Sequence, residues 1–134
     1  MANALYGIGR NKFATGDIDW VNDTIKLYLI DTADYTVSID VDDFADDVPT
    51  AAKVSTATMA GKSAALGVTD ADDTVFSAVT GDPSEALVIW KDTGTQSTSP
   101  LLAYIDSATG LPVTPNGGDI TVQWDNGANK IFKL

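Results

Sequence analysis

Short apolar runs separated by turn-forming residues are the feature of this chain that most constrains its fold. From Asp17 onward, runs rich in β-branched and aromatic residues alternate with breaks made of Gly, Asp, Asn and Pro. Such runs favour extended strands and such breaks favour turns, so the pattern is typical of an all-β domain. It predicts seven strands, which are Ile25–Ile30, Lys53–Thr58, Val75–Val79, Ala86–Lys91, Leu101–Ile105, Ile120–Trp124 and Lys130–Leu134.

The apolar pattern within these strands predicts how they pack. In the first, fourth and fifth strands adjacent residues are apolar, which indicates cover on both faces of the sheet. In Ile120–Trp124 apolar and polar residues alternate, which indicates one buried face. The turn Asp125-Asn126-Gly127 can supply positive φ angles, so we expect Ile120–Trp124 and Lys130–Leu134 to form an antiparallel hairpin. The predicted fold class is an all-β antiparallel β-sandwich or barrel of about seven strands.

The amino-terminal segment has the pattern of a short helix. Residues 3–14 carry an apolar stripe behind Asn3, which is a favourable N-cap residue. Gly7 and Gly9 weaken this helix, because each interior Gly costs about 1 kcal/mol relative to Ala. The 134 residues fit a single domain. We therefore predict an amino-terminal arm or short helix over residues 1–16, followed by a single β-domain over residues 17–134.

The chain contains no cysteine and no histidine. The lack of Cys excludes a disulfide framework, a thiolate nucleophile and a zinc–thiolate site, and the lack of His removes the usual general base and the commonest metal ligand. Ser residues are plentiful, but the sequence has no G-x-S-x-G nucleophile elbow. Some pair of the eighteen Asp residues would meet the spacing of a glycoside hydrolase by chance. We therefore expect no enzyme, no catalytic residue and no cofactor.

The charge of the chain argues against two classes of partner. Nineteen acidic residues face eight basic ones, for a net charge of −11, and the basic residues are scattered rather than clustered. Binding to nucleic acid or to an anionic membrane surface needs clustered Lys and Arg, so neither partner is expected. The sequence shows no apolar run long enough to span a membrane and no signal peptide, which predicts synthesis in a cytoplasm.

The densest acidic feature is a loop that carries five Asp residues. They are Asp40, Asp42, Asp43, Asp46 and Asp47, and Asp70, Asp72 and Asp73 form a smaller second group. Calcium prefers such oxygen ligands, but the sixth position from Asp40 is Ala45 rather than Gly and the twelfth is Ala51 rather than Glu, so the spacing is not that of an EF-hand. We expect a solvated loop that binds no metal.

Aromatic residues offer an alternative function. Trp20, Trp90 and Trp124, together with the four Tyr residues, could line a carbohydrate-binding face. Each of them lies in or beside an apolar run, which favours packing in the core.

Four segments together resemble small virion structural proteins of tailed bacteriophages. They are the opening Met1–Tyr6 followed by Gly9-Arg10, the run Asp23–Tyr35, the segment Glu85–Gly94 and the closing Gly118–Leu134. The resemblance implies a capsid decoration (cement) protein on the outer head surface, with a neck or tail accessory protein as the close alternative. It further implies a virion location after synthesis in the host bacterial cytoplasm, and the phage major capsid protein or neck and tail proteins as partners. A symmetric homo-oligomer, a trimer or a ring, would suit these positions.

The amino-terminal segment is also the candidate contact region of such a particle component. Leu5, Tyr6, Ile8 and Phe13 make it too apolar for a free tail, while its glycines make it too weak for an isolated helix. We expect neighbouring subunits or virion proteins to order it.

Overall fold

The computed structural model describes residues 3–134, and strands dominate this part of the chain. One α-helix, α1, spans Gly7–Ala14, and short 3-10 helices span Ala45–Asp47, Thr50–Ala52 and Gln96–Thr98. The strands are β1 (Ala4–Leu5), β2 (Ile25–Ile30), β3 (Lys53–Thr58), β4 (Ser63–Ala65), β5 (Val68–Asp70), β6 (Thr74–Phe76), β7 (Ala86–Lys91), β8 (Leu101–Ile105), β9 (Ile120–Val122) and β10 (Phe132–Lys133).

A five-stranded antiparallel sheet forms the centre of the molecule, with strand order β1-β8-β7-β2-β3. Two smaller antiparallel sheets accompany it, one of order β10-β5-β4 and one that pairs β6 with β9. The all-β prediction is confirmed, and the arrangement is sandwich-like rather than a closed barrel.

Strands β2, β7 and β8 lie inside the central sheet and are buried on both faces, as their apolar pattern predicted. One face packs against Tyr6, Tyr35 and Val48 from the loops, and the other packs against the side of the molecule that carries Phe76 and Phe132. Because both faces are covered, the sheet carries two separate apolar clusters. Strand β9 is shorter than the predicted Ile120–Trp124 and alternates between half-buried and exposed residues, so the face predicted to be buried is only partly covered.

A β-bulge in β8 fixes the position of α1. The register of β8 against β7 shifts between Ile89 and Trp90, which leaves Leu102 as an extra residue. Leu101 and Leu102 are therefore both fully buried, one in each apolar cluster. Helix α1 packs on this bulge through Gly9, where a Cβ would lie 2.7 Å from the Leu101 carbonyl oxygen. The glycine that weakens the helix is the residue that permits this close approach.

The amino-terminal helix is shorter than predicted. Residues 4 and 5 form strand β1 at the edge of the central sheet, and the helix begins only at Gly7 after the N-cap residue Tyr6. Asn3 is not the N-cap; its Oδ1 accepts hydrogen bonds from the backbone N–H groups of Asp106 (2.9 Å) and Ser107 (3.0 Å). In strand β1 the backbone groups of residues 4 and 5 pair with β8, whereas the first N–H groups of a helix have no partner within the helix. Residues 1 and 2 of the predicted arm lie outside the described residues.

The predicted carboxyl-terminal hairpin is wrong. Strand β9 pairs with β6, and strand β10 pairs with β5, so the two segments do not pair with each other. The Phe132 ring packs edge-to-face against Trp20 (5.3 Å between centroids) and Phe13 (5.9 Å). Lys130 forms an ion pair with Asp70 at 2.9 Å. These contacts with distant parts of the chain outweigh the local turn signal.

Candidate interaction surface

The last thirty residues of the chain contain no buried residue. Residues 105–134 are all exposed or half-buried. They nevertheless include eight large apolar side chains that are only half-buried, namely Ile105, Leu111, Val113, Ile120, Val122, Trp124, Ile131 and Phe132. A chain this size can bury about two-thirds of its surface, so such a segment is unusually open. Its apolar side chains are only partly covered by their own chain.

This segment forms the wall of a wide groove with a volume of about 940 Å³. The groove is lined by Leu29, Leu87 and Ile105 of the central sheet and by residues 107–111, 113, 120–126, 130 and 131. The groove lining contains one acidic residue, Asp125, and one basic residue, Lys130. On a chain with a net charge of −11, this is a nearly neutral surface. A smaller cavity of about 220 Å³ adjoins it and shares Ile105 in its lining.

A single apolar side chain projects from the hairpin between β4 and β5. Leu66 is 98% exposed, and its φ of 52° lies in the left-handed region, followed by Gly67 at 78°. Asn, Asp and Gly are the usual residues of such a two-residue turn, and a left-handed conformation costs a residue with a Cβ about 1–2 kcal/mol. A strained, fully exposed leucine contributes nothing to the fold of its own chain. We call residues 65–67 the hairpin tip.

The hairpin tip lies beside the groove. The backbone N–H of Leu134 donates to the Gly67 carbonyl at 2.8 Å, while that of Ile131 donates to the Thr69 carbonyl at 3.1 Å. Ile131 itself lines the groove. Since an extended chain rises about 3.3 Å per residue, the tip and this wall of the groove are on the order of 10 Å apart.

The four residues predicted as a contact region are packed against their own chain. Tyr6 is fully buried, while Leu5, Ile8 and Phe13 are half-buried against the two apolar clusters. The segment therefore has intramolecular packing that orders it, and contact with a neighbour is not needed for that purpose. A role of the half-buried side chains in an interface stays a prediction.

Tyr6 also belongs to a buried chain of hydrogen bonds. The Tyr6 and Tyr35 hydroxyls lie 2.9 Å apart, and the Tyr35 hydroxyl donates to Asp42 Oδ2 at 2.7 Å. Burial raises the pKa of both tyrosines well above that of a free phenol. Both hydroxyls therefore remain protonated, and they anchor the amino-terminal segment to the acidic loop.

The acidic loop is mostly solvated, as predicted, but its carboxylates do not converge. Asp42 is half-buried and also accepts the backbone N–H of Ser38 at 2.8 Å, whereas Asp40 pairs with Arg10 at 2.9 Å. Asp47 accepts the backbone N–H of Asp43 at 2.7 Å. These contacts within the chain explain Asp40, Asp42 and Asp47 as turn and ion-pair partners.

Three other carboxylates do converge in the structure. Asp31, Asp34 and Asp82 place oxygen atoms within 4.8 Å of one another, a feature that their sequence separation hides. Asp31 is buried and accepts the backbone N–H of Ala33 at 2.9 Å, while the other two are exposed. Exposed acidic groups often meet in this way without a cation, and the cluster has no second feature that indicates a ligand.

The aromatic side chains do not form a common binding face. All four Tyr residues, Trp20 and Trp90 are buried, which confirms their interpretation as core residues. Trp124 alone among the Trp and Tyr residues is half-buried, and it lines the groove with its Nε1–H directed at Thr74 Oγ1 (3.3 Å). One fixed indole does not make the aromatic platform that a carbohydrate-binding face would require.

No protein-family model matches this chain, and a search of curated proteins returns no match. Among the described residues, no helix has both the length and the apolar character needed to cross a membrane. The functional argument therefore depends on the surface itself.

Proposed function

We propose that this protein is a structural component of a tailed-phage virion and acts by attachment rather than catalysis. In its foremost form the proposal is a capsid decoration (cement) protein, present in many copies as a symmetric oligomer on the outer surface of the head. The major capsid protein is then its partner, and the virion is its location.

The observation that carries the proposal is the open carboxyl-terminal segment. Eight large apolar side chains of residues 105–134 stay half-buried in the free chain. Partly exposed apolar side chains that gather in one segment favour contact with another protein. A protein that assembles onto a particle has such a surface, because its neighbours cover that surface only after assembly.

The remainder of the molecule suits a rigid attachment module. The central sheet is covered on both faces, which favours a rigid support. The charge of −11 keeps free copies apart before assembly. The resemblance of four sequence segments to phage virion proteins is the reason to propose a phage particle rather than another assembly.

A neck or tail accessory protein would use the same kind of surface. The two locations differ in copy number, because a head lattice offers hundreds of equivalent sites and a neck or tail offers about a dozen or fewer. Copy number is therefore the property that separates them.

Mixing the purified protein with undecorated heads tests the proposal. We expect saturable co-sedimentation at hundreds of copies per head, and slower backbone hydrogen exchange in residues 105–134 than in the dilute free protein. Heads that already carry their full decoration serve as the control, since their sites are occupied. Binding that does not saturate, or unchanged exchange in residues 105–134, would contradict the proposal.

A further inference from the structure

We infer that copies of this protein bind one another by inserting the hairpin tip of one copy into the groove of another. The inference rests on the oligomer proposed above, but not on the particle to which that oligomer attaches. The ligand of the groove is therefore a second copy of this chain.

The hairpin tip is a protrusion and the groove is a recess large enough to receive it. The hairpin tip presents one large side chain, Leu66, flanked by the small residues Ala65 and Gly67. The groove has a volume of about 940 Å³, at the upper end of the range of about 300–1,000 Å³ for pockets that enclose a ligand. Its lining includes the half-buried side chains of Ile105, Ile120 and Val122, which are apolar partners for an inserted leucine.

Charge favours this contact over others between two copies. Two chains of net charge −11 repel each other, so a contact is favourable only where carboxylates are few. The stretch from Val48 to Thr69, which carries the hairpin tip, has no acidic residue and includes Lys53 and Lys62. The groove lining has one acid, Asp125, and one base, Lys130, which pairs with Asp70. The contact thus joins two parts of the surface that carry few carboxylates.

The backbone of the hairpin tip supports a binding role for Leu66. Asn would fit the left-handed conformation better than Leu, and Asn before Gly is the preferred pair in such a turn. Leucine at this position is therefore unfavourable in the isolated chain. Burial of the Leu66 side chain in the groove of a second copy accounts for a strained leucine at this position.

The position of the two features permits closed assemblies. Because the tip and the groove are neighbours on one molecule, the exchange can be reciprocal across a twofold axis or can pass from copy to copy around a ring. In either arrangement every hairpin tip is inserted and every groove is occupied. The same insertion covers part of the open carboxyl-terminal segment.

Leu66→Asn separates association from folding. We expect this variant to fold with at least the stability of the parent chain, since Asn suits the turn, and to self-associate about tenfold more weakly or worse. Val41→Asn is the matched control, because Val41 is 72% exposed but lies outside both features. Sedimentation velocity over a range of concentrations measures the association.

Thr121→Arg tests the groove side, because Thr121 is exposed and lines the groove. This variant keeps its tip and Leu66→Asn keeps its groove, so an equimolar mixture should associate more strongly than either variant alone. Since the chain contains no native Cys, mixed copies of Leu66→Cys and Thr121→Cys should also form a disulfide-linked pair on oxidation. Val41→Cys mixed with Thr121→Cys should form far less.

Three results would overturn the inference. They are a parent chain that stays monomeric at millimolar concentration, a Leu66→Asn variant that associates like the parent, and a Val41→Asn variant that is equally impaired. Head binding is measured separately on the same variants. Weakened self-association with retained head binding supports the inference, whereas unchanged self-association refutes it whatever the heads show.

Discussion

Two buried tyrosines of the same apolar cluster differ in whether their hydroxyl group has a partner. The Tyr35 hydroxyl bonds to Tyr6 and to Asp42. The Tyr28 hydroxyl is buried without a hydrogen-bond partner among the described protein atoms, in a ring stacked 4.7 Å from Trp90. Burial raises the pKa of Tyr28 to about 12, so its hydroxyl stays neutral and protonated at physiological pH.

Removal of the two hydroxyls should therefore have different effects on stability. Tyr35→Phe should lower the free energy of unfolding by about 1–3 kcal/mol, because it removes the hydroxyl that bonds the buried Tyr6 hydroxyl and one of the two hydrogen bonds that Asp42 accepts. Tyr28→Phe should change it by less than about 1 kcal/mol, or raise it, because it removes a group that the fold leaves unbonded. Urea denaturation of both variants measures the difference. Equal losses in the two variants would contradict the assigned hydrogen bonds.

At the scale of elements, helix α1 shows how tertiary contact overrides local propensity. Gly7 and Gly9 have the same intrinsic cost in a helix, but their surroundings differ. A Cβ at Gly9 would lie within 3.0 Å of three backbone atoms of the β8 bulge. A Cβ at Gly7 would meet the Asp40 carboxylate at 3.0 Å, at the far end of a side chain that can move.

Alanine substitutions at these two glycines should have opposite effects. Gly9→Ala should destabilise the protein by about 1–3 kcal/mol despite its better helix propensity, because the backbone of β8 cannot give way. Gly7→Ala should be neutral or stabilising by up to about 1 kcal/mol. Thermal and urea unfolding of both variants provide the test. A Gly9→Ala protein at least as stable as the parent would show that α1 does not pack on the bulge.

The elements that the sequence predicted well are those whose pattern is local. Strands β2, β3, β7 and β8 have the predicted limits, because their runs of branched and aromatic residues are bounded by turn residues. The hairpin of β4 and β5 was missed, since Ser63–Ala65 has no strand pattern. It forms because β5 also pairs with β10.

The interaction surface was harder to predict than the sheet. The sequence indicated amino-terminal contact residues from their apolar character, but Tyr6 is fully buried in its own chain. The groove forms only when residues 105–131 fold against Leu29 and Leu87, which are distant in sequence. One local signal was available at the hairpin tip. In Leu66-Gly67, a leucine occupies a turn position that usually holds Asn or Asp.

At the scale of the whole molecule, the excess of carboxylates makes stability depend on pH. Hydrogen bonds from Lys26 and from the backbone N–H of Gly94 hold the pKa of Asp92 below its usual value, and the Lys130 ammonium does the same for Asp70. A carboxylate with a lowered pKa in the folded state stabilises the fold above the unfolded pKa near 4. That contribution is lost as the pH falls through the lower folded-state pKa.

We therefore expect the free energy of unfolding to fall as the pH is lowered from about 4 to 2. Asp92→Asn should lower it by about 0.5–1 kcal/mol at pH 7 and flatten this acid-induced loss, because the Lys26 pair is gone. Denaturation at moderate ionic strength limits the opposing effect of relieved charge repulsion. An acid-induced loss as steep in Asp92→Asn as in the parent would rule out this role of the ion pair.

The central claim is that the protein is an attached component of a phage particle. Electron cryomicroscopy of the native particle, at a resolution that allows the chain to be fitted, tests it most directly. The account predicts hundreds of copies on the outer head surface, with residues 105–134 covered by neighbouring copies or by the capsid. Particles that lack the protein would contradict the claim; copies confined to the neck or tail would replace the decoration role with the accessory one.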